Sequence, residues 1–171
     1  MNLSRKLRLG CLIGLLICTV GCDQTSKHLA RSGLRQASSV ILPGGLVELR
    51  LAENPGTFLS FGAALPDWAR FVVFTLGVGV GLLALATYLI SRSRIDLMRF
   101  VGLSLVTTGG ISNLIDRVFR QGAVTDFAII RVGPIHTGIF NIADVLIMIG
   151  VGVIIWSLRQ RRLSQTNKLA G

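Results

Sequence analysis

Four aspartates in this sequence stand where an aspartate is costly. Asp23, Asp116 and Asp144 each lie at one end of an apolar run, and Asp126 interrupts the β-prone stretch Val124-Thr125-Asp126-Phe127-Ala128-Ile129-Ile130. A charge inside a membrane costs at least about 2.5 kcal/mol even on a lenient insertion scale. It persists where it faces a protein interior, finds a partner or does chemistry. Asn, Gln, Ser or Thr surround these acids. Clustered carboxylates support three kinds of chemistry. Two can share a proton, the ionised one taking a proton from water while the neutral one donates to a scissile carbonyl. They can bind a hard cation. They can line a proton or ion path. A plainer reading is a set of interfacial acids that cap helices or pair with Lys27 and Arg117.

The elements that must position them follow from composition. Of 171 residues, 51% are hydrophobic and 15% charged, against roughly a quarter charged in a soluble domain. Mean hydropathy is +0.66. A disordered tail and an ordinary soluble globule are excluded. The net charge of +10 would suit nucleic acid, but the basic residues flank apolar runs, which is a membrane pattern. Those runs are Leu9 to Cys22, Phe71 to Ser91, Phe100 to Ile115 and Val145 to Leu158. Only the second reaches the roughly 20 residues that span a bilayer unaided.

The positive flanks orient the chain. Arg5, Lys6 and Arg8 precede the first run. Arg92, Arg94 and Arg99 lie between the second and third, and Arg159, Arg161, Arg162 and Lys168 follow the fourth. All three stretches are expected on the cytoplasmic side. Four spans with both termini inside satisfy them, and Trp68 and Trp156 then fall at opposite interfaces. Measured from the inner edge, Asp23, Asp116 and Asp144 arrive about 21–24 Å up, just below the outer surface of a hydrocarbon core about 30 Å thick.

Residues 28 to 68 form the longest connection, too small for a core of its own. It reads as short strands at Val40–Leu42, Leu46–Leu51 and Phe58–Phe61, with turns at Pro43-Gly44-Gly45 and Asn54-Pro55-Gly56. Val47, Leu49 and Leu51 alternate with Glu48 and Arg50, as on a half-exposed strand lying against the membrane. The connection from Arg117 to Phe140 returns to the outer face and brings Asp126 into the same layer. The expected fold is thus an all-α integral membrane protein. It has four transmembrane helices, both termini cytoplasmic and a small extracytoplasmic β-sheet or loop region over about residues 38–62. A single membrane-embedded domain covers 1–171, with a second outer connection at about 117–140.

Several features carry less than they suggest. Cys11, Cys18 and Cys22 are odd in number and give no disulfide framework. They read as small apolar helix residues. His28 and His136 lack metal-ligand spacing. Gly77-Val78-Gly79-Val80-Gly81 has no strand before it and reads as a close-packing helix face, not a phosphate loop. The basic start followed by Thr19-Val20-Gly21-Cys22 imitates a secretory signal. Asp23 to Lys27, however, continues a helix better than it opens a mature chain.

The chemistry can be narrowed. A transport path needs polar groups along its depth, and Leu9 to Ile17 and Ile147 to Trp156 carry no charge. A phosphatidyl-transfer metal site would place several Asp on neighbouring turns, whereas each run here ends at one. Ser26 and Lys27 are adjacent and point about 100° apart on a helix, so they do not form a nucleophile–base pair. Proteolysis near the outer leaflet is the best chemical reading. A non-enzymatic transporter or lipid-binding module using the same acids is the alternative.

Here the residues resemble a known family, bacterial lipoprotein signal peptidase (type II signal peptidase). The resemblance rests on five motifs in order. They are Asp23-Gln24-Thr25-Ser26-Lys27, Asn54-Pro55-Gly56 with Ser60-Phe61, Gly109-Gly110 through Asn113-Leu114-Ile115-Asp116-Arg117, Val124-Thr125-Asp126-Phe127, and Phe140-Asn141-Ile142-Ala143-Asp144. The resemblance implies an intramembrane aspartyl peptidase of the bacterial inner membrane. It would remove the signal peptide from a diacylglyceryl-modified prolipoprotein, cutting on the N-terminal side of the lipidated cysteine. It implies Asp126 and Asp144 as the catalytic pair. It makes Asp23, Lys27, Asn54, Gly56, Asn113, Asp116, Arg117, Asn141 and Ala143 residues that shape or support the site. It implies no metal or other cofactor, no nucleic acid, membrane lipid as surroundings and a monomer. Two departures stand out. Thr57-Phe58-Leu59 replace the family's usual two alanines and Phe, and Ser112 stands where a glycine is common.

Overall fold

The computed structural model describes residues 4–34, 39–55, 65–92 and 95–170, with 164–170 described by backbone alone. Gly56, the departure at Thr57-Phe58-Leu59 and the strand expected at Phe58–Phe61 lie outside the described residues. The elements in chain order are α1 (Arg5–Leu34), β1 (Val40–Ile41), β2 (Val47–Asn54), α2 (Asp67–Ser91), α3 (Leu97–Phe119), β3 (Val124–Val132), β4 (Ile135–His136) and α4 (Ile142–Ala170). Helix α2 contains a π-helical turn at Val72–Gly77.

Among the described residues three helices, α1, α2 and α4 (through Leu163), are long and apolar enough to cross a membrane. Four spans were expected, and α3 falls short on hydropathy for a physical reason. It packs against the other three helices, and its buried positions include Ser104, Thr107, Thr108, Ser112, Asn113 and Asp116. A helix enclosed by its neighbours needs small and hydrogen-bonding residues more than lipid-facing ones. The molecule is accordingly turned inside out. Its buried apolar cluster is small, Leu12, Leu89 and Phe100 with Ile90, Ile95 and Leu103 around it. Large apolar side chains such as Trp68, Val80, Leu83, Met148 and Trp156 stand outside.

Helix α1 also runs further than its apolar stretch. Asp23 does not end it; the helix continues through Lys27 and Ala30 to Leu34. Arg8, Leu12, Thr19, Asp23, Lys27, Ala30 and Leu34 are its buried residues. Their spacing follows the 3.6-residue period, so the polar turns past the apolar run keep the same inward face.

The four strands form one antiparallel sheet in the order β1-β2-β3-β4. The strand expected at Val40–Leu42 is seen as Val40–Ile41, and that at Leu46–Leu51 as Val47–Asn54. The central pairing, β2 with β3, joins the two outer connections. Leu49 faces Ala128 and Ala52 faces Asp126, so one extra residue is taken up between Leu49 and Ala52. Such a bulge shifts the register and re-aims the strand beyond it. Phe140 then forms an isolated bridge with Ala128, each amide donating to the other's carbonyl at 2.9 Å. That bridge delivers the start of α4 to β3.

Close backbone contact sets the α3–α4 distance. A Cβ at Gly102 would lie 2.8 Å from the Gly150 carbonyl oxygen, and one at Gly109 would lie 2.8 Å from the Ala143 carbonyl oxygen. Gly109→Ala must therefore push back the turn of α4 that carries Asp144. We expect it to cost about 1–3 kcal/mol by overpacking, read as a lowered thermal midpoint in detergent. Gly10→Ala, with nothing within 4 Å of the new carbon, is the control and should leave the midpoint in place.

Candidate active site

The four aspartates divide into two pairs with different partners. The first pair is built on α1 and α3. Asp23 and Lys27 are four residues apart on one helix face and meet at 2.6 Å, as that spacing permits. The Lys27 ammonium also pairs with Asp116 at 2.9 Å and donates to the Asn113 Oδ1 at 2.9 Å. Its three protons thus have three acceptors, with Lys27 and Asp23 fully buried and Asp116 nearly so. Asp23 in turn accepts from the Ser112 hydroxyl at 2.7 Å and from the Ala143 N–H at 2.9 Å. The second contact puts a carboxylate on the N-terminal turn of α4, where the helix dipole favours negative charge. Asp116 accepts from the Thr125 N–H at 3.1 Å and the Gln24 amide at 3.2 Å. One buried ion cluster thereby ties α1, α3, β3 and the start of α4 together.

The second pair, Asp126 and Asp144, has no cation in contact among the described residues. Asn141 and Asp144 form a reciprocal cap at the start of α4. The Asp144 N–H donates to the Asn141 Oδ1 at 2.9 Å, and the Asn141 N–H donates to the Asp144 Oδ2 at 3.1 Å. This is the capping-box arrangement with Asn and Asp in its two places. It orients the Asn141 amide so that its NH2 donates to the Asp126 Oδ1 at 2.7 Å. Asn54, at the end of β2, donates to the Asp126 Oδ2 at 3.0 Å. Asn113 donates to the Asp144 Oδ1 at 2.8 Å, and its carbonyl oxygen is the one that Lys27 holds. Neutral amides therefore present both carboxylates; the Lys27 ammonium reaches Asp144 through Asn113, and Asp126 through Asn113 and Asn141.

Burial raises the proton affinity of Asp126, pushing its pKa from 3.8 up to about 6. The Asn54 hydrogen bond opposes this, the Asp144 charge adds to it, and the Asn141 hydrogen bond and Lys27 act the other way. A carboxyl in that range can hold or release a proton near neutrality.

Of the residues expected to support the site, Asp23, Lys27, Asn54, Asn113, Asp116, Asn141 and Ala143 lie in this one network. Gly56 is outside the described residues. Arg117 was expected among them, and as an ion-pair partner in the plainer reading. Among the described residues it makes no salt bridge, and its Nε is buried without a hydrogen-bond partner. Its charge acts on Asp144, Asp126 and Asp116 through space. Arg120 is the arginine that approaches Asp116, at 3.7 Å. Sequence reasoning did not single out Gln24, Glu53, Arg31 or Thr125. Gln24 and Thr125 sit inside quoted motifs, whereas Arg31 and Glu53 carry no local signal. The Ser112 hydroxyl, at the position where a glycine is common, donates to Asp23. Among the described residues no group of three or more His, Cys, Asp and Glu is placed to hold a metal ion. Between Asp23 and Asp116, where a cation would sit, the Lys27 ammonium already stands.

Membrane-crossing helices around a buried cluster of aspartates define a multi-pass membrane protein with the equipment of an aspartic-type peptidase. The profile described as signal peptidase (SPase) II matches residues 15–160. The chain belongs to that family, aspartic-type peptidase family A8, whose members cleave signal peptides from prolipoproteins. The lipoprotein signal peptidase of Polynucleobacter necessarius subsp. necessarius is 33% identical over 157 residues, covering 91% of this chain and 90% of that one. The lipoprotein signal peptidase of Moorella thermoacetica is 34% identical over 147 residues, 86% of this chain and 90% of its own. A solved structure described as a bacterial membrane enzyme, determined by the in meso method at 2.3 Å resolution, superposes with a TM-score of 0.75. Identity there is 28%, with 88% of each chain covered.

Proposed function

We propose that this chain removes the signal peptide from diacylglyceryl-modified prolipoproteins, cutting on the N-terminal side of the lipidated cysteine, with Asp126 and Asp144 as the catalytic pair. One observation carries the choice of pair. Lys27 pairs directly with Asp23 and Asp116, whereas Asp126 and Asp144 are presented by neutral amides and joined through Asn141. A carboxylate locked to an ammonium is a poor proton carrier; one held by amides can exchange its proton.

The steps follow from that arrangement. Asp126, with the raised proton affinity, holds the shared proton. Asp144 takes a proton from a water as the water oxygen attacks the scissile carbonyl, and Asp126 gives its proton to the carbonyl oxygen. The tetrahedral intermediate then collapses. The C–N bond breaks, the proton on Asp144 goes to the leaving amine of the cysteine, and the diol proton returns to Asp126. The signal peptide leaves with a free carboxyl end.

Residues 1–171 act as one membrane-embedded domain of the inner membrane, working as a monomer. Both termini are cytoplasmic, and the sheet and site face outward. The basic flanks at Arg5–Arg8, Arg92–Arg99 and Arg159–Arg162 support this orientation. The substrate's acyl chains remain in lipid while the scissile bond meets the pair just under the outer surface. No metal or other cofactor takes part.

The test is cleavage by the purified chain in detergent, with lipidated and unlipidated prolipoprotein side by side and both products weighed. We expect the lipidated protein to be cut at the bond preceding the modified cysteine, with activity unchanged by EDTA. Equal cleavage of the unlipidated protein, cleavage elsewhere, or EDTA inhibition reversed by added metal would overturn the respective part of this reading.

A further inference from the structure

Thr125 precedes Asp126 on β3 and is fully buried. All of its hydrogen-bonding groups are used, each toward a different element. Its N–H donates to the Asp116 carboxylate of α3 at 3.1 Å. Its carbonyl accepts from the Asn141 amide, which caps α4, at 3.4 Å. Its hydroxyl accepts from the Arg31 guanidinium of α1 at 2.9 Å and donates to the Glu53 carboxylate of β2 at 3.2 Å. Arg31 continues the Asp23–Lys27 face of α1 by one more turn. Glu53 stands directly opposite Thr125 in the β2–β3 register, and the next residue, Asn54, donates to Asp126.

We infer that Thr125 is a positioning residue for the reaction, its hydroxyl joining Arg31 and Glu53 so that Asp126 and Asn54 are held in register with each other and with Asp144. This rests on the assignment of Asp126 to the catalytic pair. The side chain of Asp126 is held by two amides, each through one hydrogen bond. Those bonds keep their length only while the two strands keep their relative position at residues 53 and 125. The tie at Thr125 does that, from the strand face away from the amides. Removing the hydroxyl leaves the backbone pairing but frees the Glu53–Asn54 segment to shift, and the Asn54 amide draws back from Asp126.

The direction of the effect follows from the groups around Asp126. Lys27 of α1, Asn54 of β2, Arg117 of α3, and Asn141 and Asp144 of α4 act on it. The Asn54 bond favours its ionised form. When that bond loosens, the carboxyl holds its proton to higher pH, and the limb of the pH profile that Asp126 governs moves upward.

The experiment compares wild type, Thr125→Val, Thr125→Ser, Glu53→Gln and Asp126→Asn on the lipidated substrate, with kcat and KM measured across pH. Valine keeps the shape and β-branch and loses only the hydroxyl. We expect Thr125→Val to lower kcat roughly three- to tenfold, the size of the one Asn54–Asp126 hydrogen bond that loosens. KM should stay within about twofold, and the Asp126 limb should move to higher pH. Thr125→Ser should restore both, since the hydroxyl is what matters. Glu53→Gln, at an exposed strand position, should move the limb the same way by less, and it provides the reading if Thr125→Val does not fold. A merely structural role would lower the yield of folded protein and leave the pH limb of the folded fraction in place. An unmoved limb in both Thr125→Val and Glu53→Gln, with Asp126→Asn inactive, overturns the inference and leaves the pair standing. Turnover by Asp126→Asn would instead remove the pair, and this inference with it.

Discussion

Asp126→Asn and Asp144→Asn chains are expected to insert and fold like wild type and to leave the lipidated prolipoprotein uncut. Each change nearly conserves shape and removes a proton that must move. Positioned acid–base groups contribute on the order of 10²- to 10⁴-fold, and the loss should fall in kcat while KM stays near its wild-type value. Near-normal turnover by either pure variant would sink the assignment. Asp23→Asn provides the contrast. It removes one partner of Lys27 without touching the pair, so it should lower the thermal midpoint more than it lowers kcat in the folded fraction.

The wild-type pair carries a pH signature. Burial holds the Asp126 carboxyl at about 6 against an ordinary 3.8, so the native state binds this proton more tightly than the unfolded chain. The stability it contributes is fully present below about pH 3.8 and is lost as pH rises through about 6. In the proposed role of proton donor it is lost in the same direction, so kcat/KM should fall on the alkaline side of about pH 6 in the free enzyme. A flat profile from pH 5 to 8 would count against Asp126 as the proton holder.

Lys27→Met is the second large effect, and it is a folding effect. It leaves Asp23, Asp116 and the Asn113 carbonyl facing one another in a region closed to solvent. Removing one partner of a buried ion pair costs about 3–5 kcal/mol, because the remaining charge stays buried. Here two carboxylates are left, so we expect little folded protein, read as low recovery in detergent and a large fall in thermal midpoint. Adding Asp23→Asn and Asp116→Asn to Lys27→Met should recover part of that loss, because the stranded charges are then gone. A Lys27→Met chain with an unchanged midpoint would show that the ammonium is not what holds the cluster together.

How much of this was legible beforehand depends on the distance over which each feature is decided. The Asp23–Lys27 pair is local: four residues on a helix share a face, and the structure closes that pair. The outer strands were readable from alternation and turns near Val40 and Val47. The extent of α1 was not, because its last turns carry Asp23, Lys27 and Arg31. Those residues read as a polar helix end until α3 and β3 are there to receive them. The low hydropathy of α3 reads as a weak span until the surrounding helices show why it needs none of their apolarity.

By itself, then, the sequence determined that this is a membrane protein of helical runs, with rare acids at the ends of those runs and motifs that mark its family. Period, composition and charge flanks are properties of the chain taken locally. Only the tertiary structure decided which acids keep company. The β2–β3 register, the Phe140 bridge and the glycine contact between α3 and α4 join residues far apart in sequence, and a shift of one position in any of them would re-sort the partners. Asp23 and Asp116 lie within reach of one ammonium and both pair with it. Asp126 and Asp144 accept their hydrogen bonds from amides instead. Direct contact with an ammonium, in a medium of low polarity, is what sets the carboxylates of the ion cluster apart from the two that amides hold.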